Sequence, residues 1–166
     1  MKIRKSALSD VDEILIIYEF AKKYMRKNGN NTQWNDSYPS RSIIENDIRN
    51  NNSYCIIGDD GNINATFMFS IGKEPTYDKI YDGEWINNNM EYGVIHRIAS
   101  DGKIKNVFSN ILDFCIKKYP NIRIDTHKDN KKMIELLYYH NFNYCGIIYV
   151  EDGSERLAFQ QNFKQD

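Results

Sequence analysis

Apolar residues recur along this chain with two distinct periods. Between residues 104 and 116, Ile104, Val107, Phe108, Ile111, Leu112, Cys115 and Ile116 follow at alternating steps of three and one, the signature of one helix face, and Pro120 ends the run. A second stripe, Val11, Ile14, Leu15, Tyr18, Ala21 and Met25, starts after Ser9. Ser9 with Asp12 and Glu13 reads as an N-cap followed by first-turn acids, and Asn28-Gly29-Asn30-Asn31 stops the helix. Ser42 and Glu45 form a capping-box pattern that predicts a short helix over roughly 41–51. Met133, Leu136, Leu137 and His140 share a face of another helix, capped by Asp129 or Asn130.

Strand-like segments lie at 2–5, 54–57, 63–71, 92–99, 122–125, 142–150 and 155–161, with turn signals at Asp59-Asp60-Gly61-Asn62 and Glu151-Asp152-Gly153-Ser154. The stretch 72–90 is irregular but carries Tyr77, Tyr81 and Trp85; a loop this long is functional or disordered, and its aromatics argue for order. The resulting order is β-α-α-β-β-β-α-β-α-β-β. A right-handed crossover makes the two strands of the central strand–helix–strand unit parallel. The expectation is an α/β fold: a mixed, mostly antiparallel central sheet flanked by helices.

Composition narrows the class. With 166 residues, one domain can bury roughly 70% of its unfolded surface without staples. The net charge of −1 provides no global field toward nucleic acid or a membrane, and lysines 103, 105, 128, 131 and 132 are the sole basic cluster. No segment reaches the ~20 apolar residues of a spanning helix, and the start Met1-Lys2-Ile3-Arg4-Lys5-Ser6 has no apolar run behind it. Cys55, Cys115 and Cys145 read as buried free thiols in a reducing cytoplasm. Metal-ligand spacings, a Gly-x-Ser-x-Gly elbow and a Walker-type phosphate loop do not occur. No nucleic-acid or membrane partner is therefore expected, for a monomer or homodimer.

The element order, with the helix after Asp101-Gly102 and the segment 130–142, resembles the GNAT acyltransferase superfamily over nearly the whole chain. The stretch 123–130, with the ending 144–149, is similar to bacterial members that carry no assigned substrate. The resemblance implies acetyl-CoA as cosubstrate and transfer of its acetyl group to an amine. In the family, a Gln/Arg-x-x-Gly-x-Gly/Ala loop opens the helix after the central strand and binds the CoA pyrophosphate through backbone amides, which suits a helix N-terminus. The matching stretch here is Lys103-Ile104-Lys105-Asn106-Val107-Phe108, with Lys103 at the Gln/Arg position and Asn106 and Phe108 at the glycine positions. Asn130 and Met133 match the family's next helix, and its proton-donating tyrosine corresponds to Leu137. The resemblance further implies that the backbone of Ile98, Ala99 and Ser100 holds the thioester and pantetheine.

Amine acetylation also needs a base and an acceptor pocket. His96 lies on the central strand, two residues before Ile98 and on the same face by simple alternation; it reads as a general base or as a hydrogen-bonded core histidine. Arg97 would then point the opposite way and serve an ion pair. Glu84, in the aromatic loop, is the second base candidate, or a solvated carboxylate. Trp34, Tyr38, Tyr77 and Trp85 would wall the acceptor pocket, or pack the core. Two rival readings stand beside this one: a non-catalytic GNAT-fold ligand-binding or interaction protein, and an unrelated mixed α/β binding domain.

Overall fold

A computed structural model describes residues 1–163. Strand β1 (Lys2–Lys5) leads through a single 3-10 turn (Leu8–Asp10) into α1 (Val11–Lys27) and α2 (Arg41–Arg49). Strands β2 (Ser53–Ile57), β3 (Ile63–Ile71) and β4 (Gly93–Ser100) follow, then α3 (Val107–Ile116), β5 (Asn121–Thr126), α4 (Lys131–Tyr139), β6 (Asn143–Tyr149) and β7 (Glu155–Asn162). The strands form one mixed seven-stranded sheet, as expected, in the order β1-β2-β3-β4-β5-β7-β6. β4 and β5 are parallel, with Gly93 opposite Ile122 and Val94 opposite Arg123, as the crossover rule requires. The chain clusters into two compact units, Met1–Phe69 with His96–Phe114, and Ser70–Ile95 with the chain from Cys115 onward.

In the first unit β1, β2 and β3 are antiparallel. Its core joins Val11, Ile14, Ile17 and Tyr18 of α1 to Ile44 of α2 and to Cys55, Ile63 and Ala99 of the strands. Leu15 and Ala21 pack against this core. The helix starts differ from the sequence reading. Ser9 lies within the 3-10 turn rather than capping α1. Ser40, not Ser42, caps α2, its Oγ accepting the Ile43 N–H at 3.3 Å. Glu45 instead pairs with Arg49 one turn on, at 3.0 Å.

Asp10 organises the entry to α1. It accepts bidentate bonds from Arg4 Nη1 at 2.7 Å and Nη2 at 3.1 Å, and a third from the Ala7 N–H at 2.7 Å. The Arg4 hydrogen bonds hold its carboxyl below the ordinary carboxylate range, against the opposing effect of burial. A depressed folded-state value contributes stability above the unfolded pKa near ~3.9, and that contribution is lost as the pH falls through and below it. Asp10→Ala should therefore cost about 1–2 kcal/mol at neutral pH, and less at acid pH. Urea midpoints of the wild type and variant at the two extremes check this; an equal gap at both would refute it.

In the second unit β5 and β6 flank β7 antiparallel. The core gathers Tyr77, Trp85, Tyr92, Val94, Cys145, Ile148 and Ala158. The stretch 72–90 contains a 3-10 turn (Pro75–Tyr77), and Tyr81 bridges to Ile147 of β6. Both N–H groups donate across that bridge, Tyr81 to the Ile147 carbonyl at 2.9 Å and Ile147 to the Tyr81 carbonyl at 2.8 Å. Arg123 on β5 is buried, its guanidinium carbon 4.1 Å from the Trp85 ring centroid and 3.9 Å from that of Tyr92. Its Nη2 donates to the Asn87 carbonyl at 2.5 Å. Asn121 and Gln160 complete the clamp: Asn121 Nδ2 donates to the Glu91 carbonyl at 2.8 Å, and Gln160 Oε1 accepts the Ile86 N–H at 2.9 Å. The aromatic stretch is thus ordered by buried polar groups on β5 and β7.

Candidate active site

The first unit holds the second half of β4 and the loop after it. Arg97 takes φ +53° in the middle of the strand. A left-handed L-residue inside a strand is costly, and marks a place where neighbours enforce the backbone. The enforcing contacts are present. Tyr18 on α1 donates its O–H to the Arg97 carbonyl at 3.1 Å. Arg97 Nε donates to Asp47 Oδ2 at 2.9 Å and Nη2 to Asp47 Oδ1 at 2.8 Å, forming a bidentate pair to α2. Nη1 donates to the Tyr38 hydroxyl at 3.2 Å. Both partners of the pair are nearly enclosed, with side-chain exposures of 13% and 12%.

Burial pushes the Asp47 carboxyl above the ordinary range, while Arg97 and His96 draw it down. His96 and Arg97 thus both act on one carboxylate. The left-handed residue breaks the two-residue alternation, so the expectation that Arg97 points away from a shared His96–Ile98 face does not carry over. The expected ion-pair role for Arg97 is present. Trp34 and Tyr38, from the loop between α1 and α2, sit half-buried beside this cluster. Trp34 makes an edge contact with Tyr18 at 5.6 Å and a tilted one with Tyr38 at 6.1 Å.

The loop after β4 starts with Asp101, whose N–H donates to the Asn64 carbonyl at 2.9 Å and whose Oδ2 accepts from Asn64 Nδ2 at 3.0 Å. Gly102 (φ +80°) and Asn106 (φ +55°) both take left-handed conformations in the loop before α3. Asparagine is the residue after glycine that best tolerates this conformation, which explains Asn106 at a glycine position. Lys103, Ile104 and Lys105 lie in the loop, and α3 begins only at Val107, so the helix does not start at Lys103 as expected. Its first backbone bond is Asn110 N–H to the Asn106 carbonyl at 3.0 Å. Lys103 and Lys105 are exposed, whereas Phe108 is buried at 4% exposure. The exposed lysines and the positive helix end fit a pyrophosphate group. Ser100 Oγ accepts the Gly102 N–H at 3.1 Å, and Ala99 is buried while Ile98 is half-buried.

In the second unit Tyr77 and Trp85 belong to the core, at 1% and 5% exposure. Tyr77 donates its O–H to Asp125 Oδ1 at 2.7 Å, and Trp85 Nε1 donates to the Tyr77 carbonyl at 3.0 Å. Glu84 is exposed. Asn130 Oδ1 accepts the Met133 N–H at 3.2 Å and so caps α4, with Met133 half-buried. Leu137 is fully buried, whereas Tyr138 and Tyr139 are exposed at 56% and 78%. Among the described residues no group of His, Cys, Asp and Glu could hold a metal ion, and no helix is long and apolar enough to cross a membrane.

Two members of the site escaped the sequence reading, Tyr18 as a hydrogen-bond donor and Asp47. The signal for Asp47 was its position: three residues after Ile44 and one before Ile48, an acid on the core-facing stripe of α2, which demands a buried cation.

No protein-family model matches the sequence, and no curated protein matches it. Solved structures do. A GNAT-family acetyltransferase from Streptococcus agalactiae 2603 is 31% identical and superposes with a TM-score of 0.88, covering 99% of this chain and 96% of that one. An acetyltransferase candidate from Staphylococcus aureus Mu50 is 25% identical with a TM-score of 0.70, covering 99% of this chain and 100% of that one. A GNAT-family acetyltransferase from Listeria monocytogenes 4b F2365 shares the fold at 17% identity and a TM-score of 0.71, covering 98% and 94% of the two chains. With a seven-stranded mixed sheet, a left-handed residue in β4 and near-complete overlap with an acetyltransferase at 31% identity, the chain belongs to the GNAT family of acetyltransferases.

Proposed function

We propose that this enzyme, acting as a single domain in the cytoplasm, transfers an acetyl group from acetyl-CoA to a primary amine of a small molecule or peptide. The observation that carries the reading is the β4 backbone: a left-handed Arg97 held from three sides, immediately before Ile98, Ala99 and Ser100. When bound, acetyl-CoA supplies an activated acyl carbon and a weakly basic thiolate leaving group. The backbone of Ile98 to Ser100 orients the thioester and donates to the developing oxyanion. The loop 103–108 takes the pyrophosphate, with Lys103 and Lys105 adding charge, and Asn130 and Met133 are the further candidate contacts to the cofactor. Trp34 and Tyr38 wall the acceptor side. Tyr77 and Trp85, buried in the core of their own unit, do not serve as acceptor contacts.

His96 takes a proton from the acceptor ammonium, directly or through water, to give the neutral amine that attacks the thioester carbon, and Glu84 is the second candidate. Leu137 cannot donate a proton, so water protonates the leaving thiolate. Calorimetric titration with acetyl-CoA tests the reading, with acetate and adenosine nucleotides as controls. Selective micromolar binding is the expected result, followed by release of free thiol in an amine screen. Replacing Lys103 and Lys105 together by alanine should weaken binding several-fold, most at low salt, because exposed charges are screened as ionic strength rises. No binding at millimolar acetyl-CoA would overturn the proposal.

A further inference from the structure

We infer that Asp47, with Tyr18 and Tyr38, positions the β4 backbone for acetyl transfer by holding Arg97 in its left-handed conformation. The inference rests on the function proposed above and extends it to residues on α1, α2 and the loop between them.

The argument begins with the backbone. An arginine gains nothing locally from φ +53°, and a strand favours an extended residue there. Three separate elements nevertheless grip this residue. Tyr18 binds its carbonyl at 3.1 Å, which fixes the peptide plane between Arg97 and Ile98. Asp47 binds its guanidinium with two bonds, at 2.9 and 2.8 Å, and draws the side chain toward α2. Tyr38 takes the remaining arm at 3.2 Å. A residue gripped at both its carbonyl and its side-chain end has its φ and ψ over-determined, the condition under which strain persists at a functional site. The next amide is that of Ile98, where the acyl carbonyl would be received. The side chains at positions 18, 38 and 47 therefore control the direction of a donor they never touch. Tyr38 also joins Trp34, so the loop proposed to meet the acceptor is mechanically tied to the strand proposed to hold the donor.

The decisive comparison is Arg97→Gly against Arg97→Ala. Both delete the ion pair. Glycine adopts the left-handed region freely, and alanine does not. If the grip exists to set the backbone, Arg97→Gly should turn over about tenfold faster than Arg97→Ala. A purely structural pair predicts the reverse order, since glycine weakens a strand more than alanine does. Asp47→Asn should lower kcat about tenfold or more while changing the KM for acetyl-CoA little, with partial recovery in Asp47→Glu. The backbone itself gives an independent readout: the strong intraresidue HN–Hα NOE of a left-handed Arg97 should be present in the wild type and weaken in Asp47→Asn. Tyr18→Phe, which removes one hydroxyl and keeps the ring, repeats the test in a variant that preserves the core. Arg97→Ala equal to or faster than Arg97→Gly, or an unchanged NOE in Asp47→Asn, overturns the inference. If the wild type fails to bind acetyl-CoA, the proposed function falls along with the catalytic half of this inference, and the NOE alone decides the lock.

Discussion

Gly146→Ala should be among the most destabilising single substitutions in this protein, with an expected loss of about 3 kcal/mol or more. Gly146 sits at the register shift of β6 with φ +141°, a region that L side chains rarely adopt. A Cβ there would also lie 2.5 Å from the Tyr81 carbonyl oxygen and 3.0 Å from Ile80 Cγ1. The first of these is backbone and cannot rotate away. The substitution therefore drives the segment around Tyr81 off β6 and breaks its paired hydrogen bonds with Ile147. At roughly 2–4 °C per kcal/mol for a chain of this size, the melting temperature should fall by about 10 °C. Gly83→Ala should do likewise, because its Cβ would lie 2.0 Å from the Cys145 carbonyl oxygen. Gly153→Ala is the control: its φ is +78° but nothing lies within 4 Å, so only the conformational cost of about 1–2 kcal/mol remains. Thermal melts of the three variants check the ranking. If Gly146→Ala melts with Gly153→Ala, the close crossing over β6 does not hold the second unit together.

The largest effect on activity is expected at His96. His96→Gln keeps a polar side chain of similar reach but removes the basic nitrogen, and should lower kcat by about 100-fold or more. The sign of the pH effect follows from the role. A general base works in its neutral form, so the acid limb of the wild-type activity profile should be absent from the variant. Far-ultraviolet circular dichroism on the same samples separates loss of activity from unfolding. A His96→Gln enzyme with full activity over roughly pH 6–9 would remove His96 from the mechanism and turn attention to Glu84.

The periods of apolar residues alone determined most of the architecture. The stripe ending at Ile116 spelled a helix, though three residues too early at Ile104, β3 was legible to its end residues, and the placing of one helix between two strands implied their parallel pairing. These features depend on local spacing, which a linear chain carries in full. Helix starts were less legible, because a cap is chosen by the backbone path as well as by residue type: Ser40 and Ser42 are equally good acceptors, and only the turn into α2 selects Ser40. The site was readable where it followed the family's order, as with the loop after β4, and unreadable where it depended on long-range contact. Nothing near Arg97 in sequence announces a left-handed residue. Its conformation is imposed by Tyr18 and Asp47, 79 and 50 residues away along the chain. The same holds for Tyr77 and Trp85, whose aromatic rings suit a pocket wall or a core equally well; burial beside Arg123, set by the fold, placed them in the core. Tertiary structure decided these points because hydrogen bonds and burial act through space, and residue spacing encodes only what lies along one helix or strand.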